Sequence, residues 1–104
     1  MKTVITSTGN DISSEFDQRF GRCFWFCMYD KETGQTEFIK NEYAEAQGGA
    51  GTKASQKMVE LGVASVISGD FGPKAREILE KFDIQMIILP DEPKLISEII
   101  ETLQ

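Results

Sequence analysis

The stretch Val63-Ala64-Ser65-Val66-Ile67-Ser68-Gly69-Asp70-Phe71-Gly72-Pro73-Lys74-Ala75-Arg76-Glu77-Ile78-Leu79-Glu80-Lys81-Phe82-Asp83-Ile84-Gln85-Met86-Ile87-Ile88-Leu89 decides the fold. Val63 to Ser68 reads as a strand, and the glycines of Gly69-Asp70-Phe71-Gly72 mark the turn that ends it. Pro73 suits the first turn of a helix in which Ala75, Ile78, Leu79 and Phe82 share a face. Ile84 to Leu89 is a continuous apolar run that reads as a further strand. Strand, crossover helix and second strand form a right-handed unit with parallel strands, which places the chain in the α/β class.

Upstream of this unit, Ala50, Ala54, Met58 and Leu61 recur at helical spacing, and Gly62 is a good C-terminal stop. Downstream, Pro93 opens a last helix with Ile96, Ile99, Ile100 and Leu103 along one face. The N-terminal part is built of strands. The first runs from Lys2 to Thr6, and a polar loop, Ser7 to Arg22, follows it. Cys23 to Tyr29 is the second strand, with Phe24, Phe26 and Met28 on one face and Cys23, Trp25, Cys27 and Tyr29 on the other. After the turn cluster Asp30 to Gly34, a third strand, Gln35 to Lys40, returns as the other arm of a hairpin. The predicted order is β-β-β-α-β-α-β-α, a five-stranded mixed sheet with helices on both faces, so three α/β/α layers.

With 104 residues and 40% hydrophobic content, one core and one domain spanning residues 1–104 are expected. Seventeen acidic residues against eleven basic ones give a net charge of −6, which repels nucleic acid and anionic membranes. No apolar run approaches the roughly 20 residues that span a bilayer, and Met1-Lys2-Thr3-Val4-Ile5 reads as a strand start, so a cytoplasmic location is expected. The chain has no histidine, which removes the commonest metal ligand and the commonest general base.

The two cysteines, Cys23 and Cys27, are four residues apart on the second strand. That spacing separates their Cα atoms by about 13 Å, whereas a disulfide needs roughly 4.4 to 6.8 Å. They are expected to stay unpaired, and they cannot both bind one metal ion.

The first, third, fourth and fifth strands are expected to exit at one end of the sheet, the usual ligand edge of an open α/β fold. Gly48-Gly49-Ala50-Gly51 leads into one helix there and Gly69-Asp70-Phe71-Gly72 into another, so two helix N-termini present free N–H groups. Lys53 and Lys74 lie in those first turns, where a cation loses about 0.3 to 1 kcal/mol against the helix dipole. Arg19 and Arg22 flank the same edge, and Cys23 begins its strand there. Basic residues in unfavourable places in an acidic protein point to a negative ligand. Glycine runs also serve ordinary turn geometry, and the first run lacks the Walker spacing.

The run Arg19-Phe20-Gly21-Arg22-Cys23-Phe24-Trp25-Phe26, then Gly48-Gly49-Ala50-Gly51, then Ile67-Ser68-Gly69-Asp70-Phe71-Gly72-Pro73-Lys74-Ala75 resembles the dinitrogenase iron-molybdenum cofactor biosynthesis family. The resemblance covers nearly the whole chain and implies a ribonuclease H-like fold. It also implies an accessory role: binding an iron-sulfur or iron-molybdenum cluster, or its precursor, and passing it between a cluster donor and an acceptor protein. Many relatives carry a histidine where this chain has Gly48, which leaves Cys23 as the soft metal ligand matching the pattern. Arg22 beside it is expected to lower its pKa.

The reading is therefore a non-catalytic carrier of an anionic cluster, with Arg19, Arg22, Cys23, Gly48, Gly49, Ala50, Gly51, Lys53, Gly69, Gly72 and Lys74 around it. An interaction or regulatory domain that has lost the cofactor is the rival. A metal-dependent nuclease on the same fold fits less well, since the first strand holds no acid, Asp30 falls at the far end of the second, and Asp11 and Asp70 are loop residues.

Overall fold

In a computed structural model of the chain, which describes residues 1–104, β1 (Lys2–Ser7) is the middle strand of a five-stranded sheet. Thr3, Val4, Ile5, Thr6 and Ser7 are all buried there, Val4 and Ile5 facing opposite cores. On one side it pairs antiparallel with β2 (Trp25–Asp30), which pairs antiparallel with β3 (Thr36–Lys40). On the other side it pairs parallel with β4 (Ser65–Ser68), and β4 with β5 (Gln85–Ile88). The order across the sheet is β3-β2-β1-β4-β5.

The register sorts side chains onto two faces. Val4 lies opposite Met28 and Val66, and these residues pack beneath α1 (Ala50–Leu61) and α2 (Pro73–Lys81) against Ala54, Met58, Ala75 and Leu79. Ile5 lies opposite Cys27 and Ile67, and this face is covered by α3 (Ile96–Leu103) through Ile96, Ile99 and Ile100. The result is the expected three-layer α/β/α arrangement. No helix is long and apolar enough to cross a membrane.

Several boundaries differ from the sequence reading, each because backbone groups are used elsewhere. β2 begins at Trp25 because Cys23 N–H donates to Arg19 O at 3.2 Å and Cys23 O accepts from the Asn41 amide at 2.8 Å. The strand alternation therefore does not extend back to Cys23. This residue packs with Phe26 and Met28 on the α1/α2 face, not with Cys27, and Phe24 is 48% exposed. β4 starts at Ser65, since Gly62 adopts φ 67° as the cap of α1 and Val63 N–H is still bound to Met58 O. α3 starts at Ile96 and not at Pro93, because the segment before it is held extended: Phe16 N–H donates to Lys94 O, and Leu95 bridges to Glu15. Phe82, expected on the buried face of α2, is its C-cap residue and is half exposed.

β1, β3, β4 and β5 all point the same way, so the segments 8–24, 41–49, 69–72 and 89–95 gather at one end of the sheet. That shared edge is where a site can form.

Cys23 and Cys27 are both free and fully buried, one in each face's core. A folded chain kept in air should retain two free thiols by non-reducing mass spectrometry. An intramolecular disulfide in natively folded protein would mean that the two cysteines do not lie on opposite faces.

Candidate anion-binding site

The N-termini of α1 and α2 are the chemical centre of this edge. α1 follows Gly49 at φ 70° and α2 follows Gly72, and neither cap residue offers a side-chain acceptor. Neither first turn contains an acidic residue. The first helical bonds are Lys53 N–H to Gly49 O at 2.9 Å and Arg76 N–H to Gly72 O at 3.0 Å. The N–H groups of Ala50, Gly51, Thr52, Lys74 and Ala75 have no acceptor within the protein. Both helix starts open into one cleft of about 560 Å³, where Gly51 approaches Ala75 closely: a methyl group on Gly51 would lie 3.7 Å from the Ala75 Cβ. Parallel unsatisfied donors backed by two helix dipoles make a place for negative charge.

The segment 17–23 forms the opposite wall. Buried hydroxyls at the ends of β1 and β4 pin it: Thr6 Oγ1 donates to Asp17 O at 2.5 Å, and Ser68 Oγ to Gln18 O at 3.3 Å. Phe20 N–H reaches Asp70 O at 3.4 Å, and the Phe20 ring rests 5.1 Å from that of Phe71. The chain then passes against the start of α1. A methyl group on Gly21 would lie 2.8 Å from Gly51 N and 2.9 Å from Gly51 Cα, contacts that folded backbones do not tolerate. The buried Asn41 amide holds this turn by donating to Gly21 O and Cys23 O at 3.0 and 2.8 Å.

The cleft is lined by Arg19, Arg22, Gly49, Ala50, Gly51, Gly72 and Lys74, all selected from sequence. Their charges are not equally available. Arg19 forms a bidentate pair with the buried Asp17, with Nε to Oδ1 and Nη2 to Oδ2 both 3.1 Å, and this pairing raises its pKa. Arg22 is turned toward the neighbouring loop, donating through Nη1 to Ala44 O at 3.2 Å and to Ala46 O. Lys74 is exposed and has no ion-pair partner. Asp70 lines the same cleft and opposes an anion in part.

Four residues selected from sequence fall outside the cleft. Gly48 is exposed, and Gly69 lies under the Gln18 side chain, into which any substituent would run. Lys53 turns away from the helix start, with Nζ 5.5 Å from the Tyr43 ring centroid. Cys23 is fully buried, not at an open edge, and its Sγ donates to Phe20 O at 3.3 Å. Burial, and after it the nearby Asp17 carboxylate, push its pKa up to about 12, the reverse of the expected lowering by Arg22. The thiol is therefore protonated at neutral pH. No group of three or more cysteine, aspartate or glutamate side chains is arranged to hold a metal ion.

Gly21, Asp17, Asn41, Thr52 and Asp70 also shape the site, beyond the residues that the sequence pattern points to. Gly21 was visible in the Arg-Phe-Gly-Arg run, but its close approach to α1 is a tertiary contact that spacing does not report.

A family model described as dinitrogenase iron-molybdenum cofactor matches residues 1–104. The apo form of the orange protein from Desulfovibrio gigas superposes with a TM-score of 0.87 at 25% identity, covering 98% of this chain and 85% of that one. A Thermotoga protein described as NifB-like gives a TM-score of 0.82 at 32% identity, again over 98% and 85% of the two chains. An uncharacterised protein of Methanocaldococcus jannaschii is 28% identical over 89 residues, which are 83% of this chain and 72% of that protein.

Two outcomes follow from this geometry. Gly21→Ala should destabilise the fold by about 1–3 kcal/mol in chemical denaturation, the cost of overpacking against backbone. A neutral effect would contradict the close approach. Native Cys23 should resist iodoacetamide at neutral pH and react only on unfolding, as should Cys27, whose pKa burial also raises to about 12. Because both thiols ionise later folded than unfolded, their contribution to stability is complete below the ordinary value of 9.0 and is lost as pH rises toward 12. Rapid labelling of native Cys23 would show an exposed thiolate instead.

Proposed function

Since the chain belongs to the dinitrogenase iron-molybdenum cofactor family, we propose that it is a small accessory protein that binds and carries an anionic iron-sulfur or iron-molybdenum cluster, or a precursor of one. The observation that carries this reading is the pair of uncapped helix starts facing one cleft. The outer sulfur or oxygen atoms of such a cargo are acceptors, matching the N–H groups of Ala50, Gly51, Thr52, Lys74 and Ala75, with the Lys74 ammonium beside them. The orange protein, a structural relative at 25% identity, has an apo form, which supports a binding role.

The donor set fits a cargo held through its periphery better than one coordinated by side chains. Cys23 offers a thiolate only if it loses its proton and the turn 19–23 opens. Carriage by charge and N–H donors leaves no metal–protein bond to break on release, so the cargo can pass to an acceptor protein without a chemical step. We place this work in the cytoplasm, with a cluster donor or acceptor protein as the partner. The protein itself catalyses nothing in this scheme.

A second reading, an interaction or regulatory domain without cofactor, is favoured by two features. Asp17 already compensates Arg19, and Cys23 is buried and protonated. Anaerobic calorimetric titration with molybdate, and with iron plus sulfide, separates the two readings. The carrier should bind with an affinity that falls as salt rises. Lys74→Ala should weaken binding by about tenfold while leaving the unliganded fold as stable or slightly more so, since it removes a cation from a positive helix end. Absence of binding to every oxyanion and cluster tried would leave the interaction domain standing.

A further inference from the structure

A second depression lies along the outer side of α1 and shares none of its lining residues with the cleft. Its floor is the buried ring of Phe26 with the buried Asn41. One wall is an α1 stripe at helical spacing, Lys53, Gln56, Lys57 and Glu60, and the other is the chain leaving β3, Lys40, Glu42 and Tyr43. Three lysines therefore line this one depression in a chain of net charge −6. None has a carboxylate within ion-pair distance, because the ion pairs of the structure involve only the N-terminal amine, Arg19 and their acidic partners. Lys53 and Lys57 are one helical turn apart and repel each other, while the Tyr43 ring holds the Lys53 ammonium at 5.5 Å. Three lysines without an ion-pair partner outnumber the two carboxylates of the rim, Glu42 and Glu60, and this local excess of positive charge is relieved by an anion.

We propose that this depression is a binding site for inorganic phosphate, independent of the cluster-carrying cleft. Size sets the class of ligand: the free volume of about 60 Å³ holds one small tetrahedral ion, whereas sites for nucleotide-sized ligands run to roughly 300–1,000 Å³. The mixed rim sets the choice among tetrahedral ions. Glu42 and Glu60 accept hydrogen bonds and repel an ion that can only accept. Phosphate at neutral pH keeps at least one proton and donates it to a carboxylate, while its other oxygens accept from the lysines and the Gln56 amide. Sulfate has no proton to give. The three lysines act as point charges in the manner usual for lysine at phosphate.

The test is a titration of the isotope-labelled full chain with sodium phosphate at constant ionic strength, followed by backbone amide shifts. Saturable shifts are expected at Tyr43, Lys53, Gln56 and Lys57, unchanged in Lys74→Ala. The double variant Lys40→Ala, Lys57→Ala replaces side chains outside both hydrophobic clusters, so it should keep the native spectrum. Its phosphate affinity should fall by at least about tenfold through loss of charge-assisted hydrogen bonds. Sulfate should bind several-fold more weakly than phosphate, and Glu42→Gln with Glu60→Gln should narrow that gap. Shifts that stay linear with phosphate, or unchanged affinity in the double lysine variant, would overturn the site. Equal binding of sulfate by the wild type would overturn its assignment to phosphate. Since Lys74 plays no part here and Lys40 and Lys57 play none in the cleft, either site can fail without the other.

Discussion

The approach of Gly21 to the first turn of α1 is the contact on which the carboxyl end of the sheet depends. With hydrogen as its side chain, residue 21 lets the 17–23 segment lie directly on the backbone of Ala50 and Gly51. The rest of the segment is fixed by the buried hydroxyls of Thr6 and Ser68 and by the Asn41 amide, so every buried polar side chain there has a partner. A wall placed this close keeps the two helix starts in one cleft. It also seals Cys23 beneath the surface. The same contact thus produces an open set of backbone donors and a closed thiol.

Charge and burial divide the labour in a way that the identity of the residues alone does not suggest. The arginines nearest the thiol are committed to protein acceptors, Arg19 to Asp17 and Arg22 to the carbonyls of Ala44 and Ala46. They brace the wall more than they supply free charge. What remains for an incoming anion is the backbone of two helix starts and the unpaired Lys74, on a protein whose overall field is negative. Such a site selects by proximity and geometry, because the long-range field of a protein of net charge −6 repels an anion.

The core architecture was legible because periodicity reports burial directly. The helical spacing of Ala54 and Met58 and the turn at Asp30 to Gly34 placed their elements in order, and the strand directions then put four exits at one edge. The apolar run of β5 marked a strand but overstated its burial, since β5 is an edge strand with no buried residue and Ile88 half exposed. The glycine-led helix starts were legible for the same local reason. Cys23 was not, because its placement depends on hydrogen bonds to Arg19 and to Asn41, the latter 18 residues away, which break the strand alternation. Lys53 misled differently. It does stand in the first turn of α1, but helical geometry turns its side chain to Tyr43, a rotation that position in sequence does not show.

The cradle formed by the two helix starts is tested most directly by following amide resonances during anaerobic titration with molybdate. Saturable shifts at Ala50, Gly51, Thr52, Lys74 and Ala75 are the expected result, since those N–H groups lack an acceptor in the free protein. Saturable binding that leaves these amides unmoved, or no binding at all, would contradict the assignment of the cleft as the anion site.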